Sequence, residues 1–323
     1  MKGIILDRLS FDRGDINLGP FDHAPNHHGI EWTHYDSSPH ELAGERIRDG
    51  HIVVTNKVRI TADDIAKAPN LKLILLSATG TDNVDLDACK EHGVVVCNAR
   101  GYSTPSVVQH VYSLILNLAT NMISYQAMVK EQAWQKSPIF CLLDHPIQEL
   151  EGKRLGIIGY GTLGKRVAEV GRAFGMEVSA LAREQAYDDS DIDRLPLDDL
   201  LIRSDVLSIH CPLTPKTKHL IGKRELELMK PDSILINTAR GAIVDSEALI
   251  TALHNLEIGG AGIDVLDIEP PDDNHPLISN ILPNLIVTPH NAWATAEARQ
   301  RLLHQMTKNL ESWIQGAPVN VVN

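Results

Sequence analysis

The chain is short of positive charge. Its 30 Lys and Arg stand against 42 Asp and Glu, a formal net charge of −12 over 323 residues. Surfaces that bind nucleic acid or anionic membranes need clustered Lys and Arg, so neither partner is expected. Cysteine is scarce as well. Cys89, Cys97, Cys141 and Cys211 lie far apart with no C-x-x-C, which reads as reduced thiols in a cytoplasmic protein rather than a disulfide framework. No apolar run approaches the roughly 20 residues that span a bilayer. The opening MKGIILDRLSFDRGD has a short apolar run before an acid, so it is not expected to be a signal peptide. Internal repeats and low-complexity tracts are missing too.

What is present is an ordinary globular composition, 43% hydrophobic, at a length that suits two domains. The stretch that organises it is Lys153 to Gly175, KRLGIIGYGTLGKRVAEVGRAFG. An apolar run, 155–158, predicts a buried strand. Gly159, Gly161 and Gly164 follow in the G-x-G-x-x-G spacing, and Leu163, Val167, Val170 and Phe174 then recur at helical spacing. In such a turn the first glycine permits the bend, the second lets backbone approach a pyrophosphate, and the third packs helix on strand. The N–H groups of the helix start face the phosphates.

From there the runs 155–158, 177–181, 206–209, 233–236, 260–263 and 285–287 predict six strands. Helical segments are expected at 163–174, 197–203, 223–229 and 245–255, with a last amphipathic helix at 295–315. That alternation matches a doubly wound α/β dinucleotide-binding sheet. Upstream, residues 3–6, 52–55, 73–76 and 94–96 read as strands of a separate parallel sheet, and Thr61 as the cap of a helix. Residues 11–40 read as loop, and His23, His27, His28 and His34 within it match no metal-ligand spacing. The segment after Leu76 carries Thr79 and Gly80, placed either to offer N–H groups to a small anion or simply to cap the next helix. From Pro105 one long apolar helix is expected to run to about Val129, joining domains or packing on a partner subunit. Residues 131–150, with Trp134, should form an irregular connection.

Polar residues gather at the predicted carboxyl ends of the strands. After the second strand, Ala182 and Arg183 stand where an acid would bind the ribose 2′-hydroxyl of NAD, which leans toward NADPH or indifference between NAD and NADP. Later come His210-Cys-Pro-Leu-Thr214, Asn237-Thr-Ala-Arg-Gly241, the acidic loop from Asp264 to Glu269, and Thr288-Pro-His290. Reducing a 2-keto acid needs a cation to dock its carboxylate and polarise its carbonyl. It needs an acid to protonate the oxygen, and a carboxylate to orient that acid and keep it charged. Arg240, His290 and Glu269 have the chemistry for these roles in that order.

The set G-Y-G-T-L-G, H-C-P-L-T-P-x-T, N-T-A-R-G, the acidic loop and T-P-H resembles the D-isomer-specific 2-hydroxyacid dehydrogenases over nearly the whole chain. V-V-Q-H-V-Y-S-L-I-L, G-I-D-V-L-D-I-E-P-P and H-N-A-W-A-T-A-E-A-R most resemble the branch that interconverts hydroxypyruvate and D-glycerate, with glyoxylate as a second substrate. The resemblance implies Arg240 as substrate anchor, His290 as proton donor and Glu269 as its partner. It implies dinucleotide contacts from Gly159, Gly161, Thr162, Leu163, Gly164, Arg183, His210, Pro212, Thr217, Thr238, Ala239, Arg240 and Asp264. From their positions in the sequence, Thr79, Gly80 and Trp293 are expected to join Arg240 and His290 at the substrate. It also implies a Rossmann-type cofactor domain, 99–290, and a smaller flavodoxin-like substrate domain built from 1–98 and 291–323. The helix after residue 104 would form a homodimer interface. No metal is implied. The alternative on the same fold is a dinucleotide-sensing binding protein of the corepressor type, or another D-2-hydroxyacid dehydrogenase.

Overall fold

The computed structural model describes residues 1–22, 29–182 and 191–323, and the chain divides into two compact units. The first comprises Met1–Pro105 and Trp293–Asn323, the second Ser106–Ala292.

The first unit holds five strands: β1 (Lys2–Ile5), β2 (Glu31–His34), β3 (Ile52–Thr55), β4 (Leu73–Leu76) and β5 (Val95–Cys97). Three short helices connect them, α1 (Ala43–Ile47), α2 (Ala62–Ala66) and α3 (Leu86–Glu91). Every pairing is parallel, in the order β2-β1-β3-β4-β5, a flavodoxin-like arrangement. Thr61 caps α2 in a reciprocal capping box with Asp64, as its sequence predicts. One expectation is corrected: β2 lies inside the segment read as loop. Only Trp32 of Glu-Trp-Thr-His is buried there, so no apolar run marks the strand. Its indole lies over Gly3, where an added Cβ would meet the ring at 2.3 Å. His34 ends this strand, whereas His23, His27 and His28 fall outside the described residues.

The second unit opens on α4 (Thr104–Ala119, whose first two residues belong to the first unit) and α5 (Met122–Lys130). The single long helix expected here is therefore two. Asn121 takes φ +49, a left-handed turn that Asn tolerates better than most residues, and its Nδ2 donates to Pro146 O. The sheet follows: β6 (Arg154–Ile158), β7 (Glu177–Leu181), β8 (Asp193–Leu195), β9 (Val206–Ile209), β10 (Ile234–Asn237), β11 (Gly260–Ile263) and β12 (Leu285–Val287). Its helices are α6 (Thr162–Ala173), α7 (Leu197–Arg203), α8 (Lys223–Leu228), α9 (Ser246–His254) and α10 (Pro276–Ser279). All seven strands are parallel, in the order β12-β11-β10-β9-β6-β7-β8. Counted from β6, this is the doubly wound 3-2-1-4-5-6 order with one strand added at the far edge. The sequence predicted six strands. The seventh, β8, is Asp-Arg-Leu with only its Leu buried, too short and too polar for an apolar-run criterion.

Both sheets have the Val, Ile and Leu runs of strands covered on two faces, with β3, β4, β9 and β10 buried at every position. The last helix, α11 (Ala296–Ile314), returns to the first unit. Its Ala298, Leu302, Leu303, Met306 and Leu310 complete one of that unit's cores with Ile5, Val54, Leu73 and Leu75.

Candidate active site

The glycine turn sits between β6 and α6 as expected, and its three glycines do different work. Gly159 has φ +99, and a Cβ there would stand 2.5 Å from Cys211 N at the end of β9. A Cβ on Gly164 would meet Gly159 O at 2.2 Å, so helix and turn touch backbone to backbone. Gly161 differs: an added Cβ would meet no protein atom within 4 Å. Packing does not require a glycine there, but a pyrophosphate approaching the main chain does. Gly161 is also the N-cap of α6, with no side chain to offer the first N–H groups of Thr162, Leu163 and Gly164.

Two neighbouring strand ends carry buried polar atoms with no protein partner: His210 Nδ1 after β9 and Thr238 Oγ1 after β10. His210 Nε2 lies 2.8 Å from Ser208 Oγ, and burial pushes the imidazole pKa down to about 4, so the ring is neutral at physiological pH. Buried polar atoms are rarely left unpaired, so this edge suits a polar ligand. The open Gly161 and these two orphans fit a dinucleotide. Beside them, Thr217 Oγ1 donates to Pro212 O and accepts from Thr214 N, both at 2.7 Å, which holds the 210–217 loop in one shape. Ala182 is exposed at the end of β7. Arg183 lies outside the described residues.

The Thr-Ala-Arg-Gly turn after β10 is folded by Asn237, which is fully buried. Its Nδ2 donates to Arg240 O (2.9 Å) and its Oδ1 accepts from Ala239 N (3.0 Å). Arg240 Nη1 donates to Ala239 O at 2.8 Å. A Cβ on Gly241 would fall 2.0 Å from Leu266 C, so this turn packs directly on the acidic loop. In that loop Glu269 Oε1 accepts from Leu266 N at 2.8 Å, leaving Oε2 aimed at His290 Nδ1, 2.6 Å away. Glu269 and His290, twenty-one residues apart, are thus brought into direct contact.

His290 has φ +50, a conformation that costs a non-glycine residue on the order of 1 kcal/mol or more and persists only where its surroundings impose it. Asp264 imposes it. This carboxylate, 2% exposed at the end of β11, accepts from Thr288 Oγ1 (2.5 Å) and Asn291 N (3.0 Å) on Oδ1 and from Ala292 N (3.0 Å) on Oδ2. His110 on α4 closes the cluster, its Nε2 2.9 Å from Thr288 Oγ1. Asp264, expected from the sequence as a dinucleotide contact, thus also holds the His290 loop, and His110, to which the sequence assigns no role, joins it. Thr79, Gly80 and Trp293 belong to the first unit. There Thr79 Oγ1 donates to Ala99 O (2.8 Å), and Trp293 meets Tyr102 edge to face at 6.3 Å.

Comparison with known proteins gives the family. A family model described as D-isomer specific 2-hydroxyacid dehydrogenase, NAD binding domain, matches residues 112–292, which hold the seven-stranded sheet and end two residues past His290. The chain is 44% identical to a glycerate dehydrogenase of Methylorubrum extorquens over 321 residues, 99% of this chain and 98% of the relative. To a hydroxypyruvate reductase of Blautia hydrogenotrophica it is 34% identical over 325 residues, the whole of both. The solved D-lactate dehydrogenase of Aquifex aeolicus, complexed with NAD and lactic acid, is similar with a TM-score of 0.83 at 28% identity, covering 98% of this chain and 96% of that one. The chain belongs to the D-isomer specific 2-hydroxyacid dehydrogenase family.

Proposed function

We propose that the protein reversibly transfers a hydride between NAD(P)H and a small 2-keto acid, hydroxypyruvate to D-glycerate first and glyoxylate to glycolate second. The observation that carries this reading is the 2.6 Å contact between His290 Nδ1 and Glu269 Oε2, on a loop that Asp264 holds in a strained turn. The names of the two relatives favour the three-carbon substrate.

Arg240 is the substrate anchor. Its planar fork receives the carboxylate of the keto acid in a bidentate pair and polarises the carbonyl. His290, with Nδ1 on Glu269, presents Nε2–H to the carbonyl oxygen. A nicotinamide cofactor, when bound, would supply the hydride to the carbonyl carbon. The Nε2 proton passes to the oxygen in the same step, so C=O becomes CH–OH and His290 is left neutral. Glu269, fixed by Leu266 N, offsets the imidazolium charge before transfer and keeps the ring aimed. In the oxidative direction His290 takes the hydroxyl proton back. The glycine turn, with Thr162 and Leu163, would hold the pyrophosphate. His210, Pro212, Thr217, Thr238, Ala239 and Asp264 would line the remainder of the dinucleotide.

A second copy of the chain is the proposed partner, making a homodimer. The support is a run of uncovered apolar side chains on α5 and the 131–150 connection, with Phe140 89% and Leu143 73% exposed. Trp134, 53% exposed and pinned by a bond from Nε1 to Phe140 O, belongs to the same face. The four cysteines are unpaired, which favours a reducing, cytoplasmic setting.

A panel of 2-keto acids assayed with NADH and with NADPH tests the reaction. Hydroxypyruvate is expected to show the highest kcat/KM, followed by glyoxylate. No turnover of any 2-keto acid with either cofactor overturns the proposal.

A further inference from the structure

In a doubly wound sheet the tip of the second strand reads the ribose 2′ position. An acid there accepts from the 2′-hydroxyl of NAD, and a nearby Arg accommodates the 2′-phosphate of NADP. In this protein that strand is β7, and the exposed Ala182 beyond it brings no carboxylate. The neighbouring strand β8 brings a cation instead. Arg194 pairs with Ala180 in the β7–β8 ladder, and its Nη1 donates to Leu181 O at 2.9 Å. The guanidinium therefore rests on the last carbonyl of β7. Its Cζ also lies over the ring of Tyr160, 5.1 Å from the centroid.

Tyr160 stands between Gly159 and Gly161, so this contact ties the 2′ position to the pyrophosphate turn. The Tyr160 ring is buried, and its hydroxyl donates to Asp191 Oδ2 at 3.0 Å. Lys165 Nζ lies 5.3 Å from the same ring centroid, and Arg172 Nη2 donates to Asp191 O at 3.1 Å. Among the described residues, two cations thus lie by the Tyr160 ring, and a third, Arg172, bonds the residue that accepts from its hydroxyl.

We propose that Arg194 binds the 2′-phosphate of NADPH and sets the cofactor preference of this enzyme, with Lys165 and Arg172 adding to the field. This rests on the reading that the glycine turn holds a dinucleotide. Leu181 O and the Tyr160 ring fix the guanidinium in orientation, and a pre-set planar fork loses little freedom when it meets a phosphate. A free Lys at the same place would supply charge without the orientation.

Binding to the purified full chain, read by fluorescence or calorimetric titration without turnover, tests this with four probes: NADPH, NADH, 2′,5′-ADP and 5′-ADP. Losing a charge-assisted hydrogen bond costs about 1.5–3 kcal/mol, roughly ten- to a hundredfold in affinity. Arg194→Gln is expected to weaken NADPH and 2′,5′-ADP by that factor and to leave NADH and 5′-ADP within twofold. Arg194→Lys should recover part of the loss, and higher ionic strength should weaken NADPH more than NADH. An equal loss for all four probes would make Arg194 a strut of β7, and no loss for any would give it no part; either result overturns the proposal. A wild-type chain that binds NADH but not NADPH overturns it too and leaves the dinucleotide reading standing. If the wild type binds none of the four, the dinucleotide reading itself fails.

Discussion

The two sheets of this protein share one architecture and differ at their carboxyl edges. Both are wholly parallel, and both bury their strands on two faces. In the first unit several polar groups at that edge close on one another, although Ser77 Oγ, just beyond β4, is buried without a hydrogen-bond partner. Asp7, buried just beyond β1, accepts from Asn56 N at 2.9 Å and Lys57 N at 2.8 Å beyond β3. Asn98 Nδ2 donates to Thr79 O at 2.7 Å. In the second unit the edge keeps an open glycine, two unpaired buried polar atoms at His210 and Thr238, and an imidazole held in a strained turn. Strand order does not distinguish a structural edge from a chemical one, because both orders are known ligand-binding arrangements. What distinguishes them is the chemistry gathered at the edge: the second carries an open glycine turn, an imidazole paired with a carboxylate, and an arginine turn beside them.

The sharpest way to break that contrast is to remove chemistry from the second edge. His290→Ala should lower kcat/KM for keto-acid reduction about 10²–10⁴-fold, the usual scale of general acid catalysis. NADPH affinity should stay within about twofold, as read by a fluorescence titration beside the kinetics. A variant that keeps wild-type rates would reduce the His290–Glu269 contact to a loop fastening.

The next effect separates glycines that serve the fold from the one that serves a ligand. Gly164→Ala drives a Cβ into Gly159 O and should destabilise the chain by about 1–3 kcal/mol, the cost of overpacking a tight contact. Gly161→Ala meets open space, so its melting temperature should hold while dinucleotide affinity falls at least about tenfold. The reverse pattern, a Gly161→Ala that melts several degrees lower yet binds normally, would mean the turn is structural throughout.

The smallest effect sets the two units against each other through pH. His210 resists protonation, its pKa pushed down to about 4 by burial, whereas an unfolded chain takes the proton near 6.5. As pH falls between those values the unfolded state binds more protons, and stability drops by about 2 kcal/mol at pH 5. Asp7 has the opposite sign. Burial raises its carboxyl pKa against the hydrogen bonds from Lys57 and Asn56, so the folded state takes the proton first and acid favours it. Urea midpoints at pH 7 and pH 5 should therefore draw apart in wild type and close up in His210→Gln. An unchanged gap in the variant would mean another group carries the acid sensitivity.

The sequence made much of this legible wherever identity alone carries the physics. The glycine spacing, the apolar runs and the acidic loop with its Thr-Pro-His marked the turn, most strands and the Glu269–His290 pair. Three features escaped it. The strand β8 has one buried residue in three, and β2 one in four, so neither shows a periodic apolar signal. The break at Asn121 lies inside a pattern that stays helical on both sides. The grip of Asp264 on the 288–292 loop goes largely to main-chain N–H groups, which every residue but proline carries and which therefore leave no mark in the sequence.

The return of α11 to the first unit has a consequence for how the protein is made. Arg299 grips Asp15 with two bonds of 2.6 Å across 284 residues, and Asn309 holds Asn98 O across 211. On the ribosome the β1–β5 sheet emerges first, yet the face bearing Ile5, Val54, Leu73 and Leu75 lacks its cover until residues 298–310 appear. Residues 106–292 must be translated in between, on the order of ten to forty seconds at about 5–20 residues per second. The contiguous second unit can finish folding in that interval. The first unit must wait with an apolar sheet face open to water, and that nascent surface is where a holding chaperone would bind.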